Sequence, residues 1–210
     1  MKRRLIVIFL FFVGILSVSA KTDKFGTWIE LEFTKTFLKR FEFSIIPELR
    51  LQDDFTVDKY QFDGRLAYQP FKFLEVAAAY RIKTNVKAKG DVVTHRLVLD
   101  AKISKSFNRL KTSFRTRYTT YNDVVGDKIT FIRPRLKVVY DIKGNKFTPF
   151  TSYELFHSLS AKELRKGRFD VGVSRKMGKL HRVGIYYRLQ HYYVNSPSIN
   201  ILGIDYRFKI

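Results

Sequence analysis

The stretch FIRPRLKVVYDI, residues 131–142, decides between two kinds of β protein. In an extended chain, successive side chains point to opposite faces. One face of this stretch would carry the apolar side chains Ile132, Pro134, Leu136, Val138 and Tyr140. The other face would carry the charged side chains Arg133, Arg135, Lys137 and Asp141. Such a strand needs surroundings that are apolar on one side and polar on the other.

The same alternation continues from Phe25 to the end of the chain. Segments of alternating apolar and polar residues are separated by short breaks containing Gly, Pro, Asn, Asp or Lys, which is typical of strands and turns. No segment has the period of a long amphipathic helix. The pattern predicts an all-β fold with strands near 25–34, 40–51, 58–69, 71–83, 92–104, 109–121, 128–141, 147–157, 166–176, 181–194 and 198–210.

The connections between these strands alternate in kind. Tight turns are predicted at Gln69-Pro70, 106–108, 143–146 and 177–179. Longer polar loops are predicted at 53–57, 84–91, 121–127, 158–165 and 194–198. This alternation favours an up-and-down antiparallel meander in which one rim carries the loops.

The two faces of the predicted strands differ sharply in chemistry. The apolar face includes Phe43, Leu66, Tyr80 and Leu97, and Tyr and Phe recur near the strand ends. The opposite face is rich in arginine interleaved with carboxylates. Its predicted lumen-lining members are Arg50, Arg65, Arg81, Arg96, Arg115, Arg117, Arg133, Arg135, Arg182, Arg188, Arg207, Glu48, Asp63, Glu75, Asp100, Glu154 and Asp205.

Two environments could produce this pattern. A soluble sheet would bury its apolar face in a core, whereas an outer-membrane barrel would turn that face to lipid and its charged face to the lumen. The predicted strands exceed the usual soluble length of about 5 to 6 residues and suit a tilted bilayer crossing of about 9 to 11. Arginine and carboxylates together suit a crowded lumen, where each guanidinium needs a partner. We therefore predict a transmembrane barrel of 10 to 12 strands.

The two ends of the chain favour the same location. Residues 1–20 have three basic residues, an apolar run and a small-residue ending at Ala20, which is typical of a secretory signal peptide. Residues 21–210 would then form the barrel. The final strand places Gly203, Tyr206 and Phe208 at spacings that resemble the C-terminal signal recognised by the barrel assembly machinery, although the last residue is Ile210. We expect a location in the cell outer membrane.

The order of short motifs resembles one family across nearly the whole mature chain. These motifs are Trp28 with Glu30 and Glu32, PELR at 47–50, YR at 80–81, HR at 95–96, RTRY at 115–118, RPRLKVVYDI at 133–142, TPFTSYELF at 148–156 and YRLQHYY at 187–193. Together they resemble an uncharacterised domain-of-unknown-function family of small Gram-negative outer-membrane barrels, which are porin-like in architecture. The resemblance implies a location and an architecture. It brings no established activity with it.

Two features of the strands need a special explanation. The predicted strands number eleven, whereas bacterial single-chain barrels have an even number. This predicts that one strand is wrongly assigned or lies outside the wall, and the segment 25–34 is the weakest. Pro134 lies inside a strand although it cannot donate a ladder hydrogen bond, so a local bulge or kink is expected there.

The net charge of +21 indicates an acidic or anionic partner. Export argues against nucleic acid, and the expected partners are outer-membrane lipid, lipopolysaccharide and small anionic solutes. The inward face has more basic than acidic residues, and unpaired buried charge requires water or an anion. We therefore predict a narrow passive channel with an electropositive lumen. The alternative is a structural or assembly component whose lumen is plugged by paired charges and whose loops bind a partner.

Sequence candidates for other chemistry are weak. The four histidines, His95, His157, His181 and His191, are scattered, so no metal site or cofactor is expected. Glu154, His157 and Ser158 form the one local combination that could serve a lipid-modifying enzyme, and we expect no enzymatic activity. Basic clusters at Lys162, Arg165, Lys166 and Arg168, and at Lys83, Lys87 and Lys89, are expected at the loop rim. They would bind phosphates there or remain solvated.

Overall fold

A computed structural model describes residues 22–122, 128–193 and 197–210. The predicted signal peptide at 1–20 lies outside these residues, as does most of the predicted loop at 121–127 and part of that at 194–198. Within them the fold is all-β, with eleven strands and no helix. The strands are β1 (Thr22–Phe37), β2 (Phe41–Leu51), β3 (Val57–Phe71), β4 (Leu74–Asn85), β5 (Val92–Phe107), β6 (Leu110–Asn122), β7 (Lys128–Tyr140), β8 (Phe147–Ser158), β9 (Glu163–Met177), β10 (His181–Tyr192) and β11 (Ser198–Lys209).

All eleven strands belong to one closed barrel, in which consecutive strands are antiparallel neighbours. The barrel closes between the first and last strands, which run parallel from Lys24 opposite Ile199 to Thr34 opposite Lys209. An odd number of alternating strands leaves β1 and β11 pointing in the same direction, so their pairing must be parallel. The expectation of an even number is therefore wrong, because β1 lies in the wall.

The two ends of the barrel have different connections. The turn end carries residues 38–40, 72–73, 108–109, 141–146 and 178–180, and the loop end carries residues 52–56, 86–91 and 159–162. The predicted turn at Gln69-Pro70 is wrong, because β3 continues to Phe71. A register shift between Tyr68 and Phe71 forms a bulge that accommodates Pro70, which cannot donate a ladder hydrogen bond.

Pro134 does not produce the predicted bulge. It lies opposite Thr116 of β6 without any shift in register. On its other side the register between β7 and β8 is the same at Ile132–His157 as at Arg135–Glu154, and only the ladder between these pairs is interrupted. The missing donor therefore interrupts the hydrogen bonding between β7 and β8 locally, and the register on both sides of β7 stays the same.

The barrel has a polar interior and an apolar exterior. Among the described residues, six hydrophobic and nineteen polar or charged residues are buried. Phe43, Leu66, Tyr80 and Leu97 are all exposed on the outer surface. None of the described segments is a helix long and apolar enough to cross a bilayer. The burial of polar residues and the exposure of apolar ones show that the alternation seen in residues 131–142 directs charged side chains inward around the whole barrel.

Candidate functional site in the barrel interior

A cavity of about 310 Å³ lies inside the barrel and is lined by side chains from all eleven strands. Its lining contains twelve Lys and Arg residues and ten Asp and Glu residues. Strand alternation explains this composition, because every second residue of each strand faces the axis. The site is thus an ionic interior with a small excess of cations.

Most of the predicted lumen-lining residues line this cavity. Arg96 is buried in the wall without lining it, and Arg182 is exposed near the turn end. The charged lining residues that the prediction missed are Glu30, Glu32, Lys102 and Arg168, whereas Glu42, Lys137 and Asp170 lie on the charged face that the alternation predicts. Each of the missed residues lies at an alternate position of its strand, and that position could have predicted that its side chain faces the cavity. The aromatic lining residues Trp28, Phe150 and Tyr186 interrupt the polar pattern and carry no such signal.

Three bidentate ion pairs hold neighbouring parts of the wall together. Arg81 donates from Nε and Nη2 to the two carboxylate oxygens of Asp63, at 2.7 and 2.5 Å. Arg117 contacts Asp100 in the same way at 2.6 and 2.7 Å. Arg188 contacts Asp170 at 2.6 and 3.0 Å. Such planar pairs neutralise charge where water is scarce and fix the guanidinium planes.

A fourth carboxylate serves several guanidiniums at once. Glu154 on β8 accepts hydrogen bonds from Arg115 Nη2 at 2.5 Å and from Arg133 Nη2 at 3.1 Å. Arg168 Nη1 lies 3.7 Å from its Oε2. These four residues, here named the Glu154 cluster, come from the consecutive strands β6 to β9. The cluster holds three positive charges around one negative charge.

Two further cations face the cavity without an ion pair among the described residues. Arg135 has no hydrogen bond there, and its buried Nε has no partner. The Lys137 ammonium lies 4.0 Å from the centre of the Phe150 ring, a cation–π contact. Two carboxylates of the lining, Glu30 and Asp205, likewise have no ion pair among the described residues, so the lining as a whole keeps its small excess of cations.

Aromatic rings separate other cations near the loop end. The Arg50 guanidinium lies 3.7 Å from the Trp28 ring centre, and that of Arg168 lies 5.0 Å from it. Arg168 and Arg133 lie 4.5 and 4.1 Å from the centre of the Phe156 ring, which is 1% exposed. We name Arg50, Trp28, Arg168, Phe156 and Arg133 the cation–aromatic stack. It holds these cations at fixed positions beside the carboxylates that pair with them, Glu48 for Arg50 and Glu154 for Arg133 and Arg168.

The predicted rim clusters are only partly at the rim. Lys162, Arg165, Lys87 and Lys89 are exposed at the loop end. Lys166 and Arg168 instead contact the buried Phe156 ring inside the barrel. Lys83 lies on the same strand face as the buried Arg81. The prediction was wrong for these three because they lie within strands β4 and β9, at alternate positions whose side chains face the axis.

The candidate enzymatic residues are not brought together. Alternation along β8 places Glu154 and Ser158 inside and His157 outside. The other histidines contact tyrosines: His95 Nδ1 lies 2.9 Å from Tyr80 Oη, His191 Nε2 3.2 Å from Tyr153 Oη, and His181 Nδ1 2.7 Å from Tyr206 Oη. Within the described ranges, no group of three or more His, Cys, Asp or Glu residues is arranged to hold a metal ion.

Comparison with known proteins identifies a family and assigns no activity. No curated protein matches the chain. One family profile, described as "Protein of unknown function (DUF2490)", matches residues 25–200. This range begins within β1 and ends within β11, so it covers almost the whole barrel. The chain therefore belongs to the DUF2490 family of proteins of unknown function.

Proposed function

We propose that this protein spans an outer membrane and forms a narrow passive channel for small anions. Its strands of 11 to 16 residues are long enough to cross a tilted bilayer, which needs about 9 to 11. Its outer surface exposes large apolar side chains, whereas its buried residues are mainly polar. This distribution suits lipid outside and water inside, and it would be unfavourable for a barrel surrounded by water.

The observation that carries the channel proposal is the excess of cations over carboxylates in the cavity lining. Arg135 and Lys137 line the cavity without an ion pair among the described residues. A cavity of about 310 Å³ has room for several waters, since each occupies roughly 30 Å³. Water and positive charge together would lower the energy of a passing anion relative to a cation.

Planar-bilayer recording tests this proposal. The folded protein should give stepwise conductance, and the reversal potential in a salt gradient should show anion preference. Replacing both Arg135 and Lys137 with Gln should reduce that preference. Replacing both Lys87 and Lys89, which are exposed at the loop end, is the matched control and should change it little. A silent bilayer containing correctly folded protein would contradict the channel.

The Glu154 cluster favours a second candidate, a structural or assembly component with a plugged lumen. Glu154 joins guanidiniums from β6, β7 and β9, so it can close the middle of the barrel. Exposed loops would then hold a partner protein, and rim lysines would contact lipopolysaccharide phosphates. Purification from native membranes distinguishes the two candidates. A stable stoichiometric partner together with absent conductance supports the structural role, whereas conductance without a partner supports the channel.

Membrane insertion would proceed through the barrel assembly machinery, with β11 as the recognised strand. Tyr206 and Phe208 lie on the outer face of β11 near its end. Deleting residues 206–210 should abolish insertion, as measured by fractionation of outer membranes. Recovery of the truncated protein in the outer membrane at wild-type amount would contradict this role of the strand.

A further inference from the structure

The loop end of the barrel contains a second group of cations, distinct from those on β7. Lys83 on β4 and Lys166 on β9 both point inward and are half-buried. In the ring of eleven strands, β4 and β9 lie on opposite walls. Lys83 lies two residues before the end of β4 and Lys166 lies three residues after the start of β9. Both therefore face the lumen at the loop end, from opposite walls.

Several cations lie near these lysines. Lys166 contacts the Phe156 ring together with Arg168 and Arg133. Lys83 lies opposite Gln61, which Arg50 contacts at 3.5 Å. Asp58, near the start of β3, already forms an ion pair of 3.0 Å with Lys59. Within the part of the chain that the structure describes, neither Lys83 nor Lys166 has an ion pair.

The floor of this space holds the neighbouring cations in place. Arg168 donates from Nε to Gln190 Oε1 at 2.8 Å and lies over the Trp28 and Phe156 rings. Lys166 lies 4.6 Å from the Phe156 ring centre and 5.7 Å from that of Tyr192. Aromatic rings and a neutral amide fix these positions, while Glu48 pairs with Arg50 and Glu154 pairs with Arg133 and Arg168. The positive charge that has no ion pair is that of Lys83 and Lys166, above the cation–aromatic stack.

Like charges held together at half-buried positions repel each other unless an anion compensates them. A singly charged ion beside one lysine would leave the opposite lysine uncompensated. An anion with two or more charges could contact both walls at once. The site lies inside the barrel wall, so a soluble anion suits it better than a lipid headgroup.

We propose that the space bounded by Lys83, Lys166, Arg50 and Arg96, here named the loop-end chamber, binds a compact soluble anion that carries two or more negative charges, such as a solute bearing phosphate groups. The ammonium groups of Lys83 and Lys166 contact it from opposite walls. The cation–aromatic stack forms the base of the site. This binding does not require ions to pass through the barrel.

Titration with pyrophosphate tests the chamber. Trp28 is the single tryptophan of the chain and lies against Arg50 at the base of the chamber, so its fluorescence reports binding. The folded protein in detergent should show a saturable change with pyrophosphate and none with chloride at equal ionic strength. Isothermal titration calorimetry gives a second readout that does not depend on Trp28.

Two variants and one control locate the site. Lys83→Gln and Lys166→Gln should each weaken pyrophosphate binding by about tenfold or more, because each removes one wall of the site. Without the anion these variants should be at least as stable as the wild type, because each relieves repulsion. Lys87→Gln removes the same charge from an exposed loop and should leave binding unchanged.

The outcomes separate this proposal from the channel. Absence of saturable binding in both readouts overturns the chamber and leaves the channel standing. An equal loss in the Lys87 control also overturns it, because binding would then follow net charge alone. Saturable binding that needs Lys83 and Lys166 supports the chamber even if planar bilayers stay silent.

Discussion

The ring of Tyr186 on β10 occupies the space where a side chain at Gly203 on β11 would begin. The two residues are direct partners in the ladder, and a Cβ at Gly203 would lie 1.9 Å from Tyr186 Cζ. On the other neighbouring strand Tyr186 lies opposite Gly172, where a Cβ would come within 2.6 Å of Tyr186 Cβ. An aromatic ring packed on bare backbone strengthens a sheet where glycine offers no side chain.

Gly203→Ala should therefore destabilise the barrel, because the new methyl group must displace the Tyr186 ring. We expect a loss of about 1 to 3 kcal/mol, typical of overpacking, measured by urea unfolding in detergent or lipid. Gly64→Ala is the control, since nothing lies within 4 Å of a Cβ there. The double variant with Tyr186→Ala should lose less than the sum of the single variants. Additive losses would show that the ring does not occupy this space.

The parallel seam between β1 and β11 can be tested by cross-linking. Leu31 and Tyr206 are direct partners, and the chain has no native cysteine to interfere. Leu31→Cys with Tyr206→Cys should form a disulfide under mild oxidation, which alters mobility on a gel. Leu31→Cys with Leu202→Cys is the mismatched control, because Leu202 lies on β11 four residues before the direct partner of Leu31. Equal cross-linking of both pairs, or of neither, would argue against this register.

A charge on the outer surface tests whether that surface meets lipid. Leu66 lies near the middle of β3 and is 45% exposed. In a bilayer Leu66→Arg should cost about 2 to 4 kcal/mol, whereas on a water-facing surface the change would stay within about 0.5 kcal/mol. Leu38→Arg in the turn 38–40 should be tolerated in either environment. Folding yield into lipid vesicles measures the difference, and equal yields for both variants would contradict a membrane location.

Neutralising Glu154 tests whether its cluster closes the lumen. Glu154→Gln leaves Arg115, Arg133 and Arg168 without their shared carboxylate. Breaking a buried ionic cluster should cost about 3 to 5 kcal/mol in unfolding, and the released guanidiniums should increase anion conductance. Glu163→Gln is the control, because its pair with Arg165 is exposed and such pairs contribute about 0 to 1 kcal/mol. Unchanged stability and conductance in Glu154→Gln would remove the cluster from any role in the lumen.

Several of these features were predictable because they follow from local alternation. The strands, the all-β class and the inward direction of residues such as Arg81 and Arg117 follow from a period of two along the chain. The prediction of a bulge at Pro134 was wrong, because a residue without an N–H donor can be accommodated either by a bulge or by an interrupted ladder, and the sequence does not distinguish the two. Lys83 and Lys166 were placed at the rim because strand ends are the least reliable part of such a prediction.

The amino-acid sequence by itself determined where the strands run and which side chains share a face, since both depend on residues that are close together in the chain. Only the tertiary structure decided that β1 closes on β11 in parallel, that Glu154 meets three arginines, and that Lys83 and Lys166 lie on opposite walls of the barrel. Those contacts join residues on different strands, often far apart in sequence. Their geometry depends on the closure and register of the whole ring.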